Sequence, residues 1–371
     1  MVENRRQRDL ESSHGSSTST QPNIVLVTAD SLRADHCGFL GCTHQTTPTL
    51  DRMAEDGLVF ENAIAPGPRT PSSMPVIFTG QYIPADGVAE TDWQKRRRRI
   101  KHHIDRHGTF VDRLQSAGYT TVGVTVNPWT SIDTGFGSGF DRFNELSDLD
   151  PSWPWYAKAF DTVVDIAGRS TALQWGVQKD WFAQWPTYYS AIRNRLETVD
   201  EPFFLWVFAL DPHLPYLTPA DYRKENTAVG MWYAVLRYWQ HQYRTDGNTV
   251  FPMRTERRVR RAYRDTVRSV DALVNALECD TPPDTAFIVH ADHGEAFMEH
   301  GSYGHQRQLY EENLHVPLLG YNLPETGQVT LPATLSKLPK FIESIADTVS
   351  RASTPTSTRI AGTPRGRGFS K

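Results

Sequence analysis

Cysteines are scarce in this sequence. The chain of 371 residues contains three of them, Cys37, Cys42 and Cys279. An odd number cannot pair completely, and no apolar secretory segment opens the sequence, so we expect reduced thiols and a cytoplasmic location. Cys37 and Cys42 would supply half of a zinc site. No second Cys or His pair has zinc-finger spacing, so this alternative is disfavoured.

Long apolar runs and a strong net charge are also missing. No stretch of 18 apolar residues occurs, which argues against a membrane span. The net charge of -4 gives no general attraction to nucleic acid or to anionic membranes, and no nucleic-acid partner is expected. The dense basic run from Lys95 to Arg99 would suit phosphate groups, but a solvated loop or helix face is the favoured interpretation.

The composition present is that of a globular protein, with 39% hydrophobic and 22% charged residues. We expect disordered tails at 1–21 and 351–371, because both are rich in small polar residues and poor in large apolar ones. The catalytic domain would span 22–350. An aromatic-rich insertion at about 150–190 would cover a site or form a partner surface, although most such aromatics simply pack. Its tryptophans are Trp153, Trp155, Trp175, Trp181 and Trp185.

Short apolar runs alternate with segments of helical spacing. This alternation predicts an α/β fold with a doubly wound, mainly parallel sheet flanked by helices. The predicted strands are 23–28, 58–63, 120–126, 203–210 and 286–289. The predicted helical segments are 49–56, a helix entered by the loop 69–80, 110–117 with a stop at Gly118, most of 220–277, and 338–349.

Three of these strands end in polar residues of similar chemistry. Asp30 follows the first, His213 follows a middle strand, and Asp292 with His293 follows a late one. Parallel strands deliver such ends to one edge of the sheet, where ligands bind. Carboxylate and imidazole groups together suit one divalent cation, Mg²⁺, Mn²⁺, Ca²⁺ or Zn²⁺. For a lone Asp-His pair, a polar turn after a core strand would be the simpler explanation.

Five segments in order carry a resemblance to a known family. They are NIVLVTADSLRADHCGFLG at 23–41, TPTLDRMAEDGLVFENAIAPG at 47–67, FTGQYIP at 78–84, LDPHLPY at 210–216, and ADHGEAFMEHGSYGH followed by LYEENLHVPLL. The chain resembles the sulfatase branch of the alkaline-phosphatase superfamily over roughly 22–335. The resemblance implies an alkaline-phosphatase-like fold. The short sequence after the last segment would leave out most of the usual C-terminal subdomain.

The resemblance also implies roles for individual residues. Asp30 matches the first metal carboxylate, and Asp292 with His293 match the late ligand pair. His213 matches the substrate-contacting histidine of the H-x-P-Y segment. His305 falls where many sulfatases place a lysine that contacts the leaving ester. His300 is a weaker candidate near the site, and a structural role is an equal alternative.

The sequence departs from the family at the nucleophile. The position of the C/S-x-P-S-R nucleophile falls on Thr70, with Ser72 at the proline position and Met74 at the arginine position. Threonine is a secondary alcohol, so it cannot be oxidised to the formylglycine aldehyde. A formylglycine sulfatase is therefore disfavoured unless Ser72 or Ser73 occupies the site. Ser31 replaces the second family carboxylate, and the lysine expected near 126–127 is missing.

The remaining set resembles the phosphoglycerol transferases of the same superfamily, which use a threonine. The resemblance implies that Thr70, as a metal ligand and nucleophile, attacks phosphorus or sulfur, with His213 or His305 as general acid and base. The substrate would be a small anionic ester or a glycan or lipid head group. Thr70 has a simpler alternative as a loop or helix N-cap residue. Two further hypotheses are a true sulfatase acting on a sulfated sugar, and a degenerate member that binds an anionic glycan without turnover. The sequence does not indicate an oligomeric state.

Overall fold

A computed structural model of the chain describes residues 21–84, 92–145, 183–242, 251–305 and 308–352. Almost all of the two predicted tails and most of the aromatic-rich insertion lie outside these ranges. Of the tryptophans in that insertion, Trp185 is described. It is buried and packs edge-on against Tyr189.

The centre of the described structure is a mixed, mostly parallel sheet of eight strands. Its strands are β1 (Ile24–Ala29), β2 (Leu58–Phe60), β4 (Thr120–Thr125), β5 (Arg142–Asn144), β6 (Phe203–Ala209), β7 (Ala286–Ala291), β11 (Leu318–Tyr321) and β12 (Gly327–Val329). Their order across the sheet is β12-β2-β11-β7-β1-β6-β4-β5. Strands β7, β1, β6, β4 and β5 are all parallel, and β11 is antiparallel to both of its neighbours. The α/β fold with a mainly parallel sheet is confirmed.

Two small sheets accompany the central one. Strand β3 (Ala63–Ile64) lies between β10 (His315–Val316) and β13 (Ala333–Thr334), while β8 (Ala296–Phe297) pairs with β9 (Tyr303–Gly304). The β8–β9 hairpin follows directly after the late polar segment, so it shapes the loop next to Asp292 and His293.

The α-helices of the described ranges are α1 (Pro48–Glu55), α2 (Thr70–Thr79), α3 (Trp93–His107), α4 (Phe110–Ser116), α5 (Tyr189–Leu196), α6 (Ala228–Gln242), α7 (Met253–Asp280), α8 (Glu311–Leu314) and α9 (Leu338–Ala352). Helix α7 packs against α1 and α6. Helix α2 packs against α3, α4 and α9.

Local sequence explains several helix ends. Thr109 and Asp112 form a reciprocal capping box at the start of α4, which satisfies two free amides. Gly80 ends α2 in a left-handed conformation with φ of 72°, a region that costs glycine little. Because α2 carries Thr70 at its start, this stop fixes how far the helix extends from the site.

The predicted single strand at 58–63 is wrong. The chain forms β2 up to Phe60, turns at Glu61–Asn62, and continues as β3 in a different sheet. Asn62 is a poor strand former, and its side chain donates to the carbonyl of Thr330 instead. The predicted loop at 69–80 is also wrong, because helix α2 already begins at Thr70 and continues to Thr79. The other predicted strands and helices agree with the structure to within a few residues. The helical segment 220–277 resolves into α6 and α7.

An aromatic cluster joins the sheet to α2. Trp206 of β6 is fully buried and its ring lies 4.7 Å from that of Phe78 in α2. Phe136 contacts both rings, at 5.0 Å from Phe78 and 6.2 Å from Trp206. Burial of such large rings contributes strongly to stability, so this cluster anchors α2 against the sheet.

Within the ranges that the structure describes, no helix is both long enough and apolar enough to cross a bilayer.

Candidate metal centre at the carboxyl edge of the sheet

The register of the three central strands brings their polar ends together. Ala29 of β1 pairs with Ala209 of β6 on one side and with Ala291 of β7 on the other. The residues that follow, Asp30 and Asp292, therefore emerge at the same level. Both carboxylates are fully buried. The expected convergence of distant strand ends is present in the structure.

Asp30, Asp292 and His293 form a compact cluster of donor atoms. One donor atom from each residue lies within 4.8 Å of the others. The Nε2 atom of His293 is 3.4 Å from Oδ1 of Asp30 and 3.6 Å from Oδ2 of Asp292. These separations suit oxygen and nitrogen ligands that surround a single cation.

The hydrogen bonds around the cluster leave acceptor atoms facing its centre. Nδ1 of His293 lies 2.8 Å from the carbonyl oxygen of Gly294, which can only accept, so Nδ1 donates and Nε2 carries a lone pair. Oδ2 of Asp292 is buried and has no hydrogen-bond partner in the part of the chain described. A buried carboxylate oxygen without a donor is costly, and a cation at this point would compensate it. The donor set therefore fits a divalent metal ion.

Burial governs the electrostatics of the cluster. It raises the pKa of Asp30 to about 6, with a further contribution from the charge of Asp292, and it raises the pKa of Asp292 to about 7. It lowers the pKa of His293 to about 3, and the neighbouring His305 adds to this. An imidazole held neutral is ready to act as a ligand, because only the unprotonated ring offers a lone pair.

Thr70 lies against this cluster. Its Oγ1 is 3.3 Å from Nε2 of His293, and the residue is buried. Arg69 occupies the N-cap position of α2 without a side-chain cap, and Thr70 is the first helical residue. The interpretation of Thr70 as a helix cap is therefore wrong, since its hydroxyl points to His293 and not to the free amides of α2.

The two alternative serines have other partners. The hydroxyl of Ser73 donates to the main-chain carbonyl of Asp292 at 2.6 Å, and the hydroxyl of Ser72 donates to the carbonyl of Arg69 at 2.8 Å. Met74, at the arginine position of the family motif, is fully buried in the core. Among these side chains, Thr70 is the one whose hydroxyl lies against a side-chain donor atom of the cluster.

Ser31 replaces a carboxylate but still contributes to the site. It has a φ of 62°, an uncommon left-handed conformation for a non-glycine residue. Its hydroxyl donates to Oδ1 of Asp30 at 3.0 Å, and its amide donates to Oδ1 of Asp292 at 3.3 Å. Ser31 thus orients both carboxylates.

Two further histidines border the cluster. The ring centroid of His305 is 4.6 Å from that of His293 and 4.9 Å from that of His213. Nδ1 of His213 lies 2.9 Å from the carbonyl of Leu214, so it donates and leaves Nε2 as the acceptor. Nδ1 of His305 lies 3.2 Å from Oε2 of Glu295. The structure thus brings both predicted histidines to the border of the candidate metal site.

Glu295 and Arg69 complete the surroundings. Glu295 is fully buried, and burial raises its pKa to about 7. Burial, followed by the charges of His213 and Arg69, holds the pKa of His305 well below its usual range. Arg69 therefore places positive charge beside His305 and directly before Thr70, where an anionic group would be attracted.

His300 does not join this cluster. Its Nδ1 lies 2.7 Å from Oε1 of Glu312, and its ring stacks on Tyr310 at 3.7 Å. With a side chain that is 46% exposed, it has the contacts of a structural residue at the surface of this loop.

Sequence reasoning missed three residues that act on the cluster or its histidines. Asn127 donates from Nδ2 to Oδ2 of Asp30 at 2.8 Å. Glu295 contacts His305, and the charge of Arg69 lowers the pKa of His305. Asn127 had a signal, since it stands two residues after β4, a neighbour of β6 in the sheet. Glu295 had one also, because it directly follows the Asp-His-Gly segment.

Known proteins of related sequence are sulfatases. Iduronate 2-sulfatase from Homo sapiens is 23% identical over 366 residues, an alignment that covers 85% of this chain and 63% of that protein. An arylsulfatase from Clostridium perfringens is 22% identical over 343 residues, covering 81% of this chain and 69% of that protein. The chain thus spans about two thirds of the length of these relatives.

Solved structures share the fold. The phosphonate monoester hydrolase of Agrobacterium radiobacter superposes with a TM-score of 0.59 at 16% identity, covering 89% of this chain and 74% of that one. The soluble domain of lipooligosaccharide phosphoethanolamine transferase A from Neisseria meningitidis gives 0.58 at 16% identity, covering 90% and 89%. A protein of the alkaline phosphatase superfamily from Vibrio parahaemolyticus gives 0.55 at 21% identity, covering 88% and 66%.

A model of a whole protein family also matches the sequence of the chain. The family model named Sulfatase matches residues 22–345, which include every member of the cluster described above. The chain therefore belongs to the sulfatase family.

Proposed function

We propose that the chain is a metal-dependent hydrolase or transferase of sulfate or phosphate esters that uses Thr70 as a covalent nucleophile. The observation that carries this proposal is the position of the Thr70 hydroxyl, 3.3 Å from Nε2 of His293 in the Asp30–Asp292–His293 cluster. A buried hydroxyl at the tip of a helix and beside three convergent ligands has the geometry required of an activated nucleophile.

Asp30, Asp292 and His293 would hold one divalent cation, Mg²⁺, Mn²⁺, Ca²⁺ or Zn²⁺. When bound, such an ion supplies Lewis-acid stabilisation of anionic oxygens and favours ionisation of a neighbouring hydroxyl. The residues of the chain prepare this site, since Ser31 and Asn127 orient the two carboxylates through hydrogen bonds. Such supporting hydrogen bonds tune the affinity of a metal site.

In the first step, Oγ1 of Thr70 attacks the phosphorus or sulfur atom of the ester. A bond forms from Oγ1 to that atom, and the bond to the leaving oxygen breaks in line. The Nε2 atom of His213 or His305 accepts the proton of Thr70 as the new bond forms, and the resulting imidazolium donates that proton to the leaving oxygen as the old bond breaks. The ring of His305 lies between those of His293 and His213, with centroids 4.6 and 4.9 Å away.

In the second step, water or an acceptor hydroxyl attacks the phospho- or sulfo-threonine. The bond from Oγ1 of Thr70 breaks and the side chain recovers its proton. Nε2 of His213 is the acceptor nitrogen of its neutral ring, so it suits removal of the proton from the attacking water or hydroxyl group. When Nδ1 of His305 carries the proton it donates to Glu295, which leaves its Nε2 for the same task.

The substrate class follows from the charges around Thr70. Arg69 stands directly before the nucleophile and contributes positive charge beside His305. We therefore infer a small anionic ester, or an anionic head group of a glycan or lipid. The relatives named as sulfatases and phosphoethanolamine transferase support esters of both acids as candidates.

The test is turnover of p-nitrophenyl sulfate and bis-p-nitrophenyl phosphate by protein loaded with Mn²⁺. Thr70→Val keeps the shape of the side chain and removes the nucleophile, so we expect a loss of about a thousandfold or more in kcat. Acid quenching of the wild type should trap an ester on the peptide that contains Thr70, detected by mass spectrometry. Ser72→Ala, in the same helix turn, should retain its rate within about threefold.

Two results would contradict the proposal. Turnover that survives Thr70→Val would assign the nucleophile to another group, and sulfate release with a formylglycine peptide would favour a true sulfatase. Mn²⁺ binding by calorimetry without turnover of either ester would instead favour a non-catalytic binding member of the family.

A further inference from the structure

Helix α6 exposes an apolar stripe. Val229, Tyr233 and Leu236 are spaced by four and three residues, which places them on one face of the helix. Their exposed fractions are 79%, 39% and 53%, although the neighbouring Ala234 and Val235 are buried in the core. An exposed face of this kind, with apolar side chains on consecutive turns, is unusual and marks an interaction surface.

Helix α7 exposes an arginine row. Arg254, Arg258 and Arg261 have the same spacing of four and three residues and are all exposed. In the described ranges no ion pair with a carboxylate involves them, whereas Arg260 on the flank of the row pairs with Glu256 at 3.1 Å. The opposite face of α7 is buried. The row is thus a patch of positive charge on a chain whose net charge is -4.

The apolar stripe and the arginine row are contiguous. The guanidinium carbon of Arg258 lies 5.0 Å from the ring centroid of Tyr233, and the hydroxyl of Tyr233 is 3.3 Å from Oγ1 of Thr255. Met253, which is 67% exposed, begins α7 and lies 3.4 Å from Arg257 through its sulfur. Apolar and cationic side chains therefore share one continuous surface.

We propose that this surface, formed by the apolar stripe of α6 and the arginine row of α7, docks the protein on an anionic lipid bilayer. Phosphate head groups complement the arginines, which form bidentate hydrogen bonds with phosphate. The aliphatic and aromatic side chains enter the boundary between head groups and acyl chains, as in helices that lie on a membrane. The proposal stands independently of the ester chemistry assigned to Thr70.

The combination of side chains favours a bilayer over a nucleic acid. Phosphates of a nucleic acid would pair with the arginines, but they would leave Val229 and Leu236 in water. A lipid surface uses both kinds of side chain, because its phosphates attract the arginines and its acyl boundary takes the apolar side chains out of water.

The experiment is sedimentation of the full chain with vesicles of phosphatidylcholine mixed with phosphatidylglycerol, and with vesicles of phosphatidylcholine alone. Wild type should bind the anionic vesicles and bind the neutral ones at least about tenfold more weakly. Arg254→Glu with Arg261→Glu should weaken binding by about tenfold or more. Leu236→Ser should weaken it by about tenfold through the apolar contribution alone. Added NaCl should weaken the wild-type interaction.

Matched variants elsewhere separate this surface from general charge and hydrophobicity. Arg98→Glu with Arg106→Glu changes the net charge equally, using exposed residues of α3. Leu331→Ser removes a leucine that is 75% exposed outside α6 and α7. Both controls should bind anionic vesicles like the wild type. Circular dichroism melting of every variant verifies that it is folded.

Three outcomes would overturn the proposal. The wild type does not bind anionic vesicles, or the α3 control loses as much binding as the α7 arginine variant. In the third outcome, the folded Leu236→Ser and arginine variants bind as tightly as the wild type. Preferential binding of a duplex DNA oligonucleotide that depends on the arginine row but not on Leu236 would assign the surface to nucleic acid. Hydrolysis of bis-p-nitrophenyl phosphate in solution should be unchanged in the docking variants, which distinguishes a failure here from a failure of the Thr70 mechanism.

Discussion

The Oδ2 atom of Asp292 gives the most direct indication that the site can hold a cation. It is buried, has no hydrogen-bond partner among the described residues, and faces the lone pair of His293 Nε2 at 3.6 Å. An uncompensated buried acceptor costs about 1–3 kcal/mol, so a folded protein rarely keeps one without reason. A cation held by Asp292 and His293 would remove this cost.

The support that Asn127 gives to Asp30 should be measurable as metal affinity. Asn127→Ala removes the 2.8 Å hydrogen bond to Oδ2 of Asp30. The carboxylate loses its orientation, so we expect Mn²⁺ affinity to fall about tenfold by titration calorimetry. Asn62→Ala is the control, since that exposed side chain bonds to the carbonyl of Thr330 far from the cluster in sequence. Equal affinities for Asn127→Ala and wild type would show that Asn127 has no such role.

At the scale of residues, sequence reasoning located the candidate metal ligands but not the side chains that form hydrogen bonds with them. Asp30, Asp292 and His293 were predictable because each directly follows an apolar strand, where position along the chain implies position in space. Asn127 and Glu295 act through hydrogen bonds to residues distant in sequence or across a loop. The spacing of residues within a single sequence does not reveal which side chains at the ends of neighbouring strands will form hydrogen bonds with one another.

At the scale of elements, α7 holds the segment before α6 by a dense polar network. The carboxylate of Asp265 accepts from the amides of Lys224, Glu225 and Asn226. The carboxylate of Glu225 in turn accepts from Arg264 and Arg268, at 2.8 Å in both cases. Charge-assisted hydrogen bonds of this kind are stronger than neutral ones, so they fix the approach to α6.

The pH dependence of stability should report this network. Burial alone would raise the pKa of Glu225, but the hydrogen bonds and charges of Arg264 and Arg268 outweigh it and lower the pKa to about 2. A folded-state pKa below the unfolded value stabilises the protein above pH of about 4.5, and this stabilisation is lost as the pH falls toward 2. Glu225→Gln should therefore reduce the free energy of unfolding by about 2 kcal/mol at pH 7.

The difference between Glu225→Gln and wild type should shrink below pH of about 4, measured by urea denaturation at several pH values. Glu197→Gln is the matched control. Its carboxylate pairs with Arg193 at 3.4 Å while both side chains are 60% exposed, so solvent screens the pair. We expect a change within about 0.5 kcal/mol there. A difference for Glu225→Gln that stays constant from pH 7 to pH 4 would contradict the assignment.

Elements with strong periodicity were predictable, and short ones were not. Strands β1, β6 and β7 are continuous apolar runs, and the sequence marks them clearly. The division of 58–63 into β2 and β3 depends on pairing with β11 and β10, which come more than 250 positions later. The β8–β9 hairpin likewise consists of two-residue strands, too short to show any period.

At the scale of the whole molecule, the aromatic cluster determines how α2 rests on the sheet. Phe78 contacts Trp206 of β6, Phe136 and Phe110, with ring centroids between 4.7 and 5.1 Å apart. All four rings are fully buried. Because α2 begins at Thr70, the packing of Phe78 affects the position of the proposed nucleophile as well as the stability of the protein.

Phe78→Ala should lower the free energy of unfolding by about 3–5 kcal/mol, because it removes a buried ring and leaves a cavity. Chemical denaturation measures this change. Tyr82→Ala is the control, since that ring is 58% exposed shortly after the same helix, and its loss should cost less than about 1 kcal/mol. Similar costs for the two variants would mean that the cluster does not anchor α2.

The doubly wound arrangement could be predicted for the molecule as a whole, since it follows from alternating strand and helix patterns. The cytoplasmic location expected from the cysteines stays a prediction; Cys37, Cys42 and Cys279 are unpaired in the structure. The docking surface escaped sequence reasoning because exposure is a property of the packed molecule. The pattern of α6 alone does not tell which apolar residues face the core.

The placement of the ligands on strands far apart in the chain has a consequence for biosynthesis. Ser31 and Asp292 are separated by 261 residues, yet they meet through a direct hydrogen bond. A ribosome therefore releases Asp30 and Thr70 long before it translates the codons for Asp292 and His293. The nascent polypeptide cannot assemble the Asp30–Asp292–His293 cluster until β7 has emerged and paired with β1. A metal ion held by this cluster would therefore be bound only after β7 has been translated.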